Sequence, residues 1–122
     1  MKYKVSVIRG FSAAHALRGY KGKCEKLHGH NWKVRVALVS NKLDRTGMAM
    51  DFTDIKSLLD DVLSGLDHGY LNETPPFDKL NPTAENIAAY ILNRLSKKLP
   101  KGVKTTEVEV WESDTSSATV TK

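Results

Sequence analysis

The sequence predicts an α+β domain with the order β-β-α-α-β-β, a four-stranded antiparallel sheet carrying both helices on one face. Three observations lead there. Apolar and polar residues alternate through much of the first forty positions, two stripes of aliphatic residues at helical spacing fill the middle, and alternation returns near the carboxy end. With 122 residues, the whole chain 1–122 is expected to form one domain. A hydrophobic fraction of 40% and a charged fraction of 27% fit an ordinary folded protein, and no internal repeat or low-complexity tract interrupts it.

In the first strand, Tyr3, Val5 and Val7 alternate with Lys2, Lys4 and Ser6. Carrying that parity through Phe11 and Ala13 places His15 on the apolar face. Leu17 to Lys26, with Gly19, Gly22 and several basic side chains, reads as a loop. Trp32, Val34, Val36 and Leu38 alternate with Lys33 and Arg35 to make the second strand, and His28 and His30 share the parity of Trp32. Antiparallel pairing of these two strands converges all three histidines.

Asn41 to Gly47 is a turn. Met50 and Phe52 then lead into a helix that Thr53 or Asp51 can cap, with Ile55, Leu58, Leu59, Val62, Leu63 and Leu66 as its core stripe. Pro75-Pro76 marks an extended loop before the second helix. That helix is expected to start with Asn81 as cap and Pro82 in the first turn, to bury Ala88, Ile91, Leu92, Leu95 and Leu99, and to stop at Pro100 and Gly102. Thr83 and Glu85 fit capping roles. Val108, Val110 and Glu112 share one face of the third strand, and Ala118 and Val120 follow in the fourth after a polar turn at Ser113 to Ser117.

The chemistry gathers in Cys24-Glu25-Lys26-Leu27-His28-Gly29-His30. Histidines separated by one residue point the same way on an extended segment and can share a metal ion, and Gly29 between them leaves room for a close approach. Each histidine taken alone also fits a hydrogen-bonded core residue. Cys24, the chain's single cysteine, is too far away for a Cys-x-x-Cys knuckle; its thiolate suits a ligand, a base or a nucleophile. Asp67 and His68, adjacent in a turn, suit either a pair or a histidine settled at the negative end of a helix. Glu112 carries a carboxylate on the valine parity, which is costly unless it is paired, holds a ligand with N–H donors, or escapes to solvent at the strand end.

One cysteine excludes an intramolecular disulfide framework, no apolar run approaches the roughly 18 residues of a spanning helix, and the amino terminus runs directly into an alternating pattern instead of a leader. The expectation is a cytoplasmic protein, reduced, with no membrane partner. The net charge of +5 is spread along the chain, which does not point to nucleic acid and suits a phosphorylated small molecule.

Six spaced motifs occur together: His15 in Phe-Ser-Ala-Ala-His, Cys24-x-x-x-His28-Gly-His30, Gly47-Met-Ala-Met-Asp51-Phe, Leu66-Asp67-His68-x-x-Leu71-Asn72, Pro82-Thr83-x-Glu85-Asn86 and Trp111-Glu112-Ser113. Over nearly its whole length the chain resembles the 6-pyruvoyl-tetrahydropterin synthase and 6-carboxy-tetrahydropterin synthase family. The resemblance implies the tunnelling fold, in which sheets from three subunits form a barrel and two trimers stack into a homohexamer. It further implies zinc on His15, His28 and His30, and 7,8-dihydroneopterin triphosphate as substrate. Cys24 matches the family's base, Asp67 and His68 a proton-transferring pair supplied by a neighbouring subunit, and Glu112 the anchor of the pterin ring. Thr83 matches the segment lining the pterin pocket, although Ala84 stands where the family often has a second threonine.

The activity implied first is a zinc-dependent lyase that forms 6-carboxy-5,6,7,8-tetrahydropterin on the way to queuosine and other deazapurine-modified tRNA bases; the shortness of the chain favours that prokaryotic branch. The alternative is the 6-pyruvoyl synthase, which eliminates triphosphate from the same substrate. Aldol cleavage toward folate, where a glutamate often replaces the cysteine, is disfavoured by Cys24 and kept open by Glu25. From another class comes a non-catalytic, zinc-stabilised, pterin-binding oligomer.

Overall fold

Strand β1 (Tyr3–His15) and strand β2 (His28–Ser40) pair antiparallel in unbroken register, from Tyr3 opposite Ser40 to His15 opposite His28. The structure is a computed structural model and describes residues 1–21 and 26–122. The parity read from the sequence holds along both strands: Val7, Phe11 and Ala13 of β1, and Trp32, Val34, Val36 and Leu38 of β2, are buried.

Helix α1 (Phe52–Ser64) is capped by Asp51, whose carboxylate accepts from the Thr53 N–H at 2.8 Å. It buries Ile55, Leu59, Val62 and Leu63 against β1. Helix α2 (Ala84–Ser96) lies on the same layer, over strands β4 (Val103–Ser113) and β5 (Ser116–Thr121). Its cap is Thr83, whose hydroxyl accepts from the Asn86 N–H, and not Asn81 as expected. The amide of Asn81 is committed elsewhere, to the backbone of Arg18.

The expected four-stranded, wholly antiparallel sheet with the order β-β-α-α-β-β needs correction. The sheet has five strands in the order β3-β1-β2-β4-β5, and its extra member β3 (Gly69–Tyr70) runs parallel to β1 through Ala13 and Ala14. Two residues carry no periodicity from which a strand can be read. The segment pairs there because the His68 N–H donates to the Ser12 carbonyl at 2.6 Å as the chain leaves α1. A single 3-10 turn, Leu71–Glu73, follows β3.

Both helices cover one sheet face and leave the other open, where Lys4, Arg35, Glu107 and Glu109 form ion pairs. Because β3 reaches only Ala13 and Ala14, most of β1 is a free edge, as is the outer side of β5. Phe52, Met48, Leu43 and Ile8 are exposed near that β1 edge. Among the described residues, no helix is long and apolar enough to cross a membrane.

Candidate metal centre and its neighbours

The unbroken register of β1 and β2 brings His15, His28 and His30 to one end of the sheet, on its helix-covered face. Glu112 reaches the same place from β4, at the point where the β4–β5 register shifts between Trp111 and Ser113. Such a bulge re-aims a side chain. One donor atom from each of the four residues lies within 4.8 Å of the others, so the group can hold a metal ion. Trp32 packs its ring edge-on beside His15 and His30 and anchors its own N–H on the Ala13 carbonyl at 3.2 Å.

Hydrogen bonds behind the rings decide which nitrogens face inward. His15 Nδ1 stands 2.7 Å from the Pro82 carbonyl, and His28 Nδ1 stands 2.7 Å from the Lys26 carbonyl. A carbonyl only accepts, so each Nδ1 carries the hydrogen, and in the neutral form of each ring a bare Nε2 turns inward. Those two Nε2 atoms are 3.0 Å apart. Two lone pairs at that distance repel unless a shared cation or a proton lies between them. His30 Nε2 is buried with no hydrogen-bond partner among the described residues; Glu112 Oε1 stands 3.2 Å away, close enough for an ion pair but off the hydrogen-bonding direction. Facing lone pairs, an unpartnered imidazole nitrogen and an adjacent carboxylate make a donor set that suits a divalent transition metal.

Burial pushes the His15 and His30 imidazoles below their ordinary pKa, outweighing the pull of the Pro82 carbonyl on His15 and of Glu112 on both rings. The two rings are therefore neutral near pH 7, the form a metal needs.

Asp67 and His68 are not part of this group. They sit at the β1 edge beside Ser12, whose N–H donates to Asp67 Oδ1 at 2.9 Å. Asp67 Oδ2 lies 3.0 Å from His68 Nδ1, a pairing of sequence neighbours made possible by the left-handed backbone of His68, φ 59°. The Ser12 N–H, and after it His68, hold the Asp67 carboxyl below its usual range. His68 borders a cleft of about 400 Å³ on the open face, shared with Ser12, Ala14, Gly29 and Asn31.

Of the other residues singled out in the sequence, Thr83 is spent on the α2 cap, while Cys24 lies outside the described residues. Arg18, one of the basic side chains of the loop, donates to the Phe77 and Asn72 carbonyls and is held by the protein itself. The sequence reading assigned Glu112 to a ligand and missed its place beside the histidines; its apolar parity was the available signal. It also missed the carbonyls of Pro82 and Lys26, which no side-chain pattern reveals.

The sequence model of the family described as 6-pyruvoyl tetrahydropterin synthase matches residues 4–122. The chain belongs to that family. It is 42% identical over 113 residues to the 6-carboxy-5,6,7,8-tetrahydropterin synthase of a Synechocystis strain, covering 88% of this chain and 84% of the relative. It is also 38% identical over 112 residues to the dihydroneopterin monophosphate aldolase of Pyrococcus furiosus, covering 92% and 91%. Among solved structures, the 6-pyruvoyl tetrahydropterin synthase of Caenorhabditis elegans superimposes with a TM-score of 0.85 at 28% identity, over 100% of this chain and 96% of that one. This tetrahydropterin synthase family chain thus has relatives named for three related activities.

Proposed function

We propose that this protein is a zinc-dependent lyase that converts 7,8-dihydroneopterin triphosphate and water to 6-carboxy-5,6,7,8-tetrahydropterin, with release of triphosphate and of the side chain's terminal carbons as acetaldehyde. The observation that carries the reading is the facing pair of bare Nε2 atoms on His15 and His28, 3.0 Å apart beside His30 and Glu112. His15, His28 and His30 would hold the ion. The chemistry a zinc ion would supply there is polarisation of the substrate side-chain oxygens, which would acidify the adjoining C–H bond.

The protein's own groups do the rest. Cys24, assigned on its sequence motif, takes the carbon-bound proton, its thiolate favoured by Lys23 and Lys26 close by in the chain. Asp67 orients His68 through Nδ1, which leaves the exposed Nε2 of His68 to pass protons to and from the substrate. Glu112 accepts the N–H groups of the pterin ring. Thr83, by starting α2, sets the wall of the pterin pocket.

His68 leaves 82% of its side chain exposed, which suits a group that serves a neighbouring subunit. The free edges of β1 and β5 and the apolar residues beside them suit closure of three sheets into a barrel, and two such trimers make the homohexamer. In this reading the enzyme is cytoplasmic and its product feeds deazapurine modification of tRNA.

The name of the Synechocystis relative supports the 6-carboxy product. The family description and the C. elegans structure support the alternative, a 6-pyruvoyl product without carbon–carbon cleavage. The test is incubation of zinc-loaded protein with 7,8-dihydroneopterin triphosphate and mass analysis of the products. Acetaldehyde with a carboxy-pterin is expected, and a pyruvoyl-pterin alone would overturn it. No turnover by the zinc-loaded protein, with zinc and the oligomer kept in Cys24→Ala, would favour a binding module.

A further inference from the structure

We infer that Asn72 and Asn81 are positioning residues of the metal centre: their amides continue the sheet edge past the end of β1 and hold His15 in place. The inference rests on the assignment of a metal to His15, His28 and His30.

Strand β3 gives β1 an edge partner at Ala13 and Ala14 and then ends. His15 follows, and the chain beyond it has no strand beside it on that edge among the described residues. Side chains take over the pairing. The Ala16 N–H donates to Asn72 Oδ1 at 2.9 Å, and the Ala16 carbonyl accepts from Asn72 Nδ2 at 2.7 Å. The Arg18 N–H donates to Asn81 Oδ1 at 2.8 Å, and the Arg18 carbonyl accepts from Asn81 Nδ2 at 2.9 Å. Each amide gives one acceptor and one donor to a single residue, as a residue of a neighbouring strand does. Ala16 and Arg18 flank Leu17, between the end of β1 and the turn at Arg18, and each turns both its N–H and its carbonyl to one asparagine amide. His15 is thereby bracketed by backbone pairing at Ala14 and amide pairing at Ala16.

Asn81 also controls the group behind the ring. It precedes Pro82, whose carbonyl receives the His15 Nδ1–H, and its own carbonyl accepts from Asn86 Nδ2 at 2.9 Å. One residue thus ties the exit of β1 to the carbonyl that fixes the His15 tautomer. Helix capping does not account for its side chain, because Thr83 caps α2. A metal site needs its ligands held within about 0.5 Å, and the groups supporting a ligating histidine supply that restraint.

The test uses the full-length, metal-stripped protein. Asn81→Asp and Asn72→Asp keep the size of the side chain and remove its donor. Zinc affinity is measured by competition with a chromophoric chelator, alongside thermal melting of the metal-free form. Affinity for zinc is expected to fall about 10- to 100-fold in each variant. Affinity within about twofold of wild type in variants that fold, even with a lowered melting point, would overturn the inference and leave the amides a role in the fold alone. Wild-type protein that binds no zinc would overturn the metal assignment itself. Should Asn81→Asp not fold, Asn81→Ala, which removes donor and acceptor together without adding charge, carries the same comparison.

Discussion

Two groups of ionisable side chains meet β1 three residues apart, at His15 and at Ser12, and are built on opposite terms. At its end, His15 is fully buried, backed by the Pro82 carbonyl and walled by Trp32. Beside Ser12, Asp67 is partly covered and His68 projects 82% of its side chain into solvent from a left-handed backbone. The first arrangement is finished within one chain, with ring nitrogens already turned toward a common point. The second stands exposed and outside that group, on a cleft that His30 also borders. Burial and second-partner hydrogen bonds suit a ligand set that must not move, whereas exposure suits a group that meets a substrate bound elsewhere.

The largest effect expected from separating the two regions comes from His15→Ala, which removes one of three imidazole donors and should abolish both zinc binding and turnover. Metal analysis after dialysis against free zinc checks it, and a stoichiometric ion retained by the variant would show that Glu112 or another group can replace the ring. Next in size is His68→Ala. Loss of a proton-transferring group lowers turnover by about 10²–10⁴-fold, and zinc content should stay at the wild-type level. Mixing the two inactive variants under conditions that exchange subunits then tests whether the regions cooperate across chains. If one subunit's His68 serves another's metal, random mixing leaves half of the sites with intact ligands and half of those facing an intact His68, so activity should return to about a quarter of wild type. Recovery of none would place both regions in one chain's own site.

Much of the candidate metal centre was legible in the sequence, because strand parity is a local rule: His15, His28 and His30 follow from counting by twos from Tyr3 and from Trp32. The same counting put Glu112 on the inner face. What counting misses is pairing at a distance. Gly69-Tyr70 joins the sheet through a bond from His68 to Ser12, and Asn72 and Asn81 act as strand residues through their side chains. Neither leaves a periodic trace. Asn81 just before a helix reads as a cap by composition alone, and only the fold shows that Ala16 to Arg18 claim the two amides first. The Asp67–His68 contact was open for a similar reason: on regular structure adjacent side chains diverge, and the positive φ that brings them together is a property of the finished turn.

A smaller effect concerns acid. His15 and His30 have lowered pKa values in the folded protein, chiefly through burial, while in the unfolded chain they take up protons from about pH 6.5 downward. Between those ranges the unfolded state binds more protons, so stability contributed by the neutral rings is complete above pH 6.5 and drains away as pH falls toward the folded values. Metal-free protein should therefore melt at lower temperature at pH 5.5 than at pH 7.5, and His30→Gln should flatten that difference. Asp67 has its carboxyl lowered as well, which adds a loss only at still lower pH, below the ordinary carboxylate range. A melting temperature that is flat between pH 5.5 and pH 7.5 would mean that the rings take up protons in the folded state as readily as in the unfolded one.

The smallest effect isolates the backbone of the exposed pair. At φ 59° a residue with a Cβ costs about 1–2 kcal/mol relative to glycine, against a conformational entropy cost of about 0.5–1 kcal/mol for glycine itself. His68→Gly should thus be more stable than His68→Ala by roughly 1 kcal/mol in denaturant titration, with turnover lost equally in both. The two variants remove the same ion pair with Asp67, so their difference reports the turn and not the charge. His15→Gly and His15→Ala offer the contrasting measurement at the buried end, where the residue lies in extended strand and glycine should be the less stable of the two. Opposite signs at positions 15 and 68 would show that the histidine cluster is built on relaxed backbone and the exposed corner on a strained one.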